Sequence, residues 1–172
     1  MEVPELETER LLLRAITPDD RLDIFVNYSD PQVAGWFFDQ PYTCIEQADQ
    51  IIQEFMQKAL QGKGLTWAIV LEASGEFVGT CGYENFVIGQ SGEIGFDLAK
   101  LHWGHGYMSE ALGVVIPYGF TVLDLFTVEA HTYSSNARAR RLLEKLGFTI
   151  AAVTGHSHCY TLARENWLHA HP

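Results

Sequence analysis

Basic residues are scarce in this sequence. Eleven Lys and Arg stand against 22 Asp and Glu in 172 residues, a formal net charge of −11. Such an excess of acid repels phosphate backbones, so nucleic acid and anionic membrane surfaces are excluded as non-specific partners. Cysteine is rarer still. Cys44, Cys81 and Cys159 are odd in number and widely spaced, and no CxxC pair occurs. That excludes a disulfide framework and fits a reducing compartment. Long apolar runs are also missing: the most apolar stretch, Leu112 to Leu125, is broken by Gly113, Pro117 and Gly119. It falls short of the roughly 20 residues that span a bilayer. The acidic start, with Glu2, Glu5 and Glu7, has no signal-peptide pattern. A cytoplasmic protein is expected.

The residues that are present describe a folded chain. At 47% hydrophobic and 19% charged, the composition excludes global disorder, and the length suits a single domain over residues 1–172. The charge is unevenly placed. Residues 1–60 hold twelve acids and four bases, whereas residues 136–148 hold Arg138, Arg140, Arg141 and Lys145 against Glu144 alone. A basic segment in an acidic chain needs a local explanation.

Periodicity orders the elements. Arg10 to Arg14 reads as a strand, and Thr17-Pro18-Asp19-Asp20 as a helix start with Thr17 as cap. A helix is predicted over about 45–61, where Ala48, Ile51, Ile52, Phe55, Met56 and Ala59 recur at helical spacing. Strands follow at 66–71, 77–83 and 92–98, a helix at about 106–122, and a strand at 127–132. A helix over 137–146 ends at Gly147, and strands at 148–153 and 158–163 close the pattern. The order gives one α/β domain (α+β in some schemes) with a mixed sheet.

The most informative local feature is the turn Trp103-Gly104-His105-Gly106-Tyr107-Met108 between the strand at Glu93–Leu98 and the helix near Ser109. Glycines let the backbone approach a ligand, and free N–H groups at a helix start favour an anion such as pyrophosphate. The turn is neither GxGxxG nor a Walker A loop, so a dinucleotide or nucleoside triphosphate reading lacks its motif.

Three blocks then stand in order: Glu93-Ile94-Gly95-Phe96-Asp97-Leu98, Trp103 through Leu112, and Asn136 followed by Leu143-Glu144-Lys145-Leu146-Gly147-Phe148. Together they closely resemble the GNAT family of acyl-CoA-dependent N-acetyltransferases. With Glu9-Arg10-Leu11-Leu12-Leu13-Arg14 at the start and Arg164-Glu165-Asn166-Trp167 at the end, the chain looks most like the ribosomal-protein N-terminal acetyltransferase branch. The resemblance covers residues 8–167. It implies a GNAT-type domain, with a mixed, mostly antiparallel central sheet flanked by helices.

The resemblance also implies a site. The pantetheine arm of acetyl-CoA is expected along Phe96–Leu98, and its pyrophosphate on the turn formed by Gly104, His105, Gly106, Tyr107, Met108 and Ser109. Against the family's Arg/Gln-x-x-Gly-x-Gly/Ala pattern, Trp103 holds the first position, Gly106 the fourth, and Met108 is bulkier than usual at the sixth. Asn136 matches a family Asn that contacts the cofactor arm. The basic helix then gains a reason, since Arg138, Arg140 or Arg141 can meet phosphates by charge-assisted bonds, with one of the three expected to touch the ligand.

Acyl transfer to an amine needs a base for the amine proton and an acid for the leaving thiolate. Glu93 is the first candidate base and Glu84 the second; burial should raise the pKa of whichever acts. Ala139 and Leu143 occupy positions where relatives often carry the acid, leaving Tyr133, Ser134 or Ser135 as substitutes. Cys81 has no evident His partner and is not expected to act as nucleophile. His156, His158 and Cys159, with His169 and His171 in an expected mobile tail, fit no common zinc spacing, so no metal is expected. Trp36, Phe37 and Phe38 suit either an acceptor pocket or ordinary packing.

The expected activity is direct acetyl transfer from acetyl-CoA to a primary amine in a ternary complex. The branch resemblance implies a protein N-terminal α-amine as acceptor, with a polyamine or an antibiotic as the small-molecule alternative. A non-catalytic acyl-CoA-binding or regulatory module is the alternative, and a homodimer is compatible with the sequence.

Overall fold

Alternating apolar residues in the strands and two apolar helical stripes build a sheet covered unequally on its two faces. The computed structural model describes residues 1–170. Its strands are β1 (Leu6–Glu7), β2 (Leu11–Ala15), β3 (Leu65–Leu71), β4 (Phe77–Phe86), β5 (Ser91–Leu98), β6 (Thr127–Tyr133), β7 (Thr149–Thr154) and β8 (Ser157–Ala163). The helices are α1 (Arg21–Ser29), α2 (Pro31–Ala34), α3 (Glu46–Leu60), α4 (Tyr107–Thr121), α5 (Ala137–Lys145) and α6 (Arg164–Ala170). All strands join one sheet in the order β1-β2-β3-β4-β5-β6-β8-β7. Every neighbouring pair is antiparallel except β5 and β6, which run parallel.

Strand alternation splits the core. Leu65, Trp67 and Ile69 of β3 face Leu112, Val115, Ile116 and Phe120 of α4, and the same layer continues through Val128, Leu143, Tyr160 and Leu162 beneath α5. Ala68 and Val70 face the other way, onto Ile24, Tyr28, Ala48 and Ile52 of α1 and α3. Burial of such side chains contributes roughly 1.5–3 kcal/mol each. The helices α1 to α3 cover β2–β4, leaving Glu129, His131, Cys159 and Thr161 on the opposite side of β6 and β8 only partly covered.

Two close approaches fix the centre of the sheet. A Cβ on Gly82 would stand 2.0 Å from the Leu65 carbonyl oxygen, so β4 meets β3 only as glycine. A Cβ on Gly119 would stand 1.9 Å from Oη of Tyr83, whose hydroxyl donates to the Val115 carbonyl at 3.1 Å. Glycine in α4 therefore admits a buried tyrosine beneath the helix that bears the glycine turn.

One local correction concerns the chain's end. His169 lies in α6 rather than in a mobile tail, with its Nδ1 2.6 Å from the Glu165 carbonyl; His171 lies outside the described residues. All three cysteines are free.

Candidate active site

The site begins where two parallel strands part. Pairing of β5 with β6 covers Ser91/Thr127, Gly92/Val128 and Glu93/Glu129, yet β5 runs on to Leu98 and β6 to Tyr133. Beyond Glu93 the strands diverge, and a cleft of about 480 Å³ opens between β5, the glycine turn and α5. That volume suits a ligand of cofactor size. Phe96, Leu98, Trp103, Gly104, Gly106, Tyr107, Met108, Ser109, Asn136 and Arg141 all lie on its wall. His105 does not: its ring stacks on Tyr107 and its carbonyl accepts from Arg10 Nη1 at 3.0 Å.

Local chemistry shapes the turn. Gly104 and Gly106 both adopt φ of 82°, the left-handed region that other residues enter only under strain. Gly106 then precedes α4 without a side-chain cap. The first i to i−4 bond is made by the Glu110 N–H to the Gly106 carbonyl, leaving the N–H groups of Tyr107, Met108 and Ser109 ahead of it. The positive end of α4 thus opens on the cleft. Glu110 braces the turn from behind, accepting from Thr8 Oγ1 at 2.6 Å and from Arg10 Nε at 2.7 Å. These bonds hold its carboxyl below its ordinary range, against a desolvation that works the other way.

The basic helix divides its work. Arg138 and Arg141 line the cleft, whereas Arg140 turns to the Tyr160 hydroxyl and the Ser134 carbonyl. Two of the three arginines therefore face the cleft. The Arg138 guanidinium lies 4.1 Å over the Trp103 ring, and Trp103 Nε1 donates to the Leu98 carbonyl at 2.9 Å. Asn136 caps α5 by accepting from the Ala139 N–H at 3.2 Å. Ala139 lines the cleft and Leu143 is buried, so neither offers a proton.

A second, narrow hollow of about 40 Å³ is lined by Tyr28, Phe37, Phe55, Glu84, Gly95 and neighbours. It shares Phe37, Phe96 and Asp97 with the large cleft. Trp36 also lines the cleft, while Phe38 packs against Tyr28 and Tyr42. The aromatic loop is therefore divided between the cavity walls and ordinary ring packing.

The two candidate carboxylates occupy different surroundings. Pairing of β4 with β5 passes from Tyr83/Ile94 to Asn85/Glu93, so Glu84 is the extra residue of a bulge. Bulges re-aim side chains, and this one lays the Glu84 carboxylate over Gly95. A Cβ on Gly95 would stand 1.9 Å from Glu84 Oε1. Burial, and next the charge of Glu93, raise the Glu84 pKa. Glu93 is the more open group, with its side chain 36% exposed and Oε1 4.0 Å from Nε2 of His131. Tyr133 sits exposed at the end of β6, its ring 6.4 Å from that of Trp36 and off the cleft wall.

Asp97 was not singled out from the sequence. Its buried carboxylate accepts from Asn27 Nδ2 at 2.5 Å, from the Tyr28 hydroxyl at 2.9 Å and from Thr80 Oγ1. Burial still raises its pKa to about 6, against the pull of those donors. The signal was an acid inside an apolar strand segment, between Phe96 and Leu98. Cys81 is fully buried with its thiol pKa pushed up, and Cys159 is raised by partial burial and then by Glu129 and Glu93. Neither has the depressed pKa of a nucleophilic thiol.

Fold and cleft together define the class. The family model of the acetyltransferase (GNAT) domain matches residues 10–149, and the chain belongs to that family. It is an N-acetyltransferase. A Bacillus licheniformis protein named as an uncharacterized N-acetyltransferase, p20, is 38% identical over 146 residues, 83% of this chain and 81% of that protein. A Bacillus subtilis counterpart, YoaA, is 35% identical over 146 residues, covering 84% and 82%. Among solved structures, a GNAT acetyltransferase from Bacillus anthracis has a TM-score of 0.82 at 21% identity, covering 94% of this chain and 99% of that one. A RimL structure, described as a ribosomal L7/L12 alpha-N-protein acetyltransferase in complex with coenzyme A, has a TM-score of 0.82 at 16% identity. It covers 93% of this chain and 98% of the other.

Proposed function

We propose that this N-acetyltransferase takes its acetyl group from acetyl-CoA, bound in the large cleft, and passes it directly to a primary amine entering by the narrow hollow. The observation that carries the reading is the unpaired edge of β5 meeting the bare N–H groups of α4 beside Arg138 and Arg141. Backbone amides and guanidinium groups suit a pyrophosphate, and an open strand edge suits an amide-bearing arm. The resemblance assigns the same roles to Phe96, Leu98 and the turn.

Glu84 is the base of this proposal. Its bulge, its place over Gly95 and its raised pKa favour a proton acceptor on the wall of the narrow hollow, which adjoins the cleft through Phe37, Phe96 and Asp97. The amine nitrogen attacks the thioester carbonyl carbon, a C–N bond forms as the C–S bond breaks, Glu84 takes the amine proton, and solvent protonates the leaving thiolate. The tight aromatic hollow admits an unbranched amine end, as carried by a peptide N-terminus or a polyamine. RimL is described as an alpha-N-protein acetyltransferase, and a Vibrio cholerae relative at 24% identity is named a spermidine N(1)-acetyltransferase.

Thiol release from acetyl-CoA, measured with peptide and polyamine acceptors, tests the assignment. Glu84→Gln is expected to lower kcat by about 10²-fold with acetyl-CoA affinity unchanged. The wild-type acid limb of kcat should lie above the ordinary carboxylate range, because the raised Glu84 must be deprotonated to act. An unaltered kcat in Glu84→Gln would transfer the role to Glu93.

A further inference from the structure

The partly covered side of β6 and β8 carries a second cluster. His131 and Cys159 are direct cross-strand partners, and Glu129 lies two residues before His131 on the same face. The ligand atoms of these three residues all lie within 4.8 Å of one another. Their backbone is fixed from behind, because Val128, Ala130 and Tyr160 alternate with them into the core. Among the described residues, neither the Glu129 carboxylate nor the Cys159 thiol makes a side-chain hydrogen bond. Glu93, opposite Glu129 on β5, brings its carboxylate to 4.0 Å from His131 Nε2.

We propose that Glu129, His131 and Cys159 form a binding site for a divalent metal of zinc's class. A thiolate, an imidazole and a carboxylate are the borderline-soft donor set that favours zinc over magnesium or calcium. Metal–ligand bonds of about 2.0–2.3 Å need donor atoms somewhat closer than 4.8 Å. Side-chain rotation at a half-open surface supplies that movement without shifting the strands. The fourth position is open to Glu93 or to water, and Glu93 is placed to orient the imidazole. No spacing motif announces the site, since Cys159 arrives through strand pairing. The grouping of His158 with Cys159 fails for the same reason: adjacent strand residues point to opposite faces.

Zinc titrated calorimetrically into the reduced full chain, with a cobalt titration followed for a thiolate charge-transfer band, tests the proposal. One zinc per chain is expected. Cys159→Ser and His131→Ala should each weaken binding by at least about tenfold and abolish the cobalt–thiolate band. Cys44→Ser, at an exposed cysteine in the loop before α3, should change neither, and magnesium should not compete. Circular dichroism will establish that each variant is folded. Absence of zinc binding by the folded wild type, or binding that survives both Cys159→Ser and His131→Ala, would overturn the site.

Discussion

At the scale of single residues, the account turns on an absent side chain. Gly95 leaves the volume that the Glu84 carboxylate occupies, since any Cβ there would overlap Oε1. Gly95→Ala should therefore lower kcat toward the level of Glu84→Gln, while acetyl-CoA affinity changes little and the fold persists. Wild-type turnover in Gly95→Ala would show that the carboxylate acts from elsewhere or not at all. Sequence reasoning could place Glu84 on a strand beside Gly82 and Tyr83, and could rank it behind Glu93. It could not see the bulge, because a register shift between Tyr83/Ile94 and Asn85/Glu93 leaves no residue pattern behind. The turn residues were readable for the opposite reason: Gly104 and Gly106 declare a left-handed backbone by their identity.

At the scale of elements, Asp97 ties α1 to the sheet through Asn27 and Tyr28, with Thr80 of β4 as the third donor. Burial raises its pKa from 3.8 to about 6. Between roughly pH 4 and 6 the folded chain thus holds a proton that the unfolded chain has released, and stability falls as pH rises. Against Asp97→Asn, the wild type should lose up to about 3 kcal/mol across that interval, measured by urea unfolding. A stability difference that is flat with pH would remove the buried ionisation from the account. The long elements α3, α4 and α5 and the strands β3 to β8 were readable because apolar periodicity and bounding glycines mark them. The two-residue β1 and four-residue α2 are too short to carry a period, and α6 has no buried residue to reveal one.

At the scale of the molecule, the uneven charge acquires two addresses. The basic segment is α5, and two of its arginines face the cleft while Arg140 serves internal bonding. Acids of the first sixty residues are partly spent on structure, as Asp20 pairs with Arg14 and Asp49 with Arg21. Glu84 lies beyond that segment in the narrow hollow, and Glu93 and Glu129 lie beyond it on the partly covered side of β5 and β6. Net charge alone spoke only of excluded partners; the topology shows which face is cationic. The central claim is that the cleft between β5 and α5 holds acetyl-CoA, and calorimetric titration of acetyl-CoA into wild type and Arg141→Ala tests it most directly. The account predicts saturable binding of one cofactor per chain, weakened by about tenfold in Arg141→Ala. No saturable heat with about millimolar acetyl-CoA, or equal affinity in the two proteins, would contradict it.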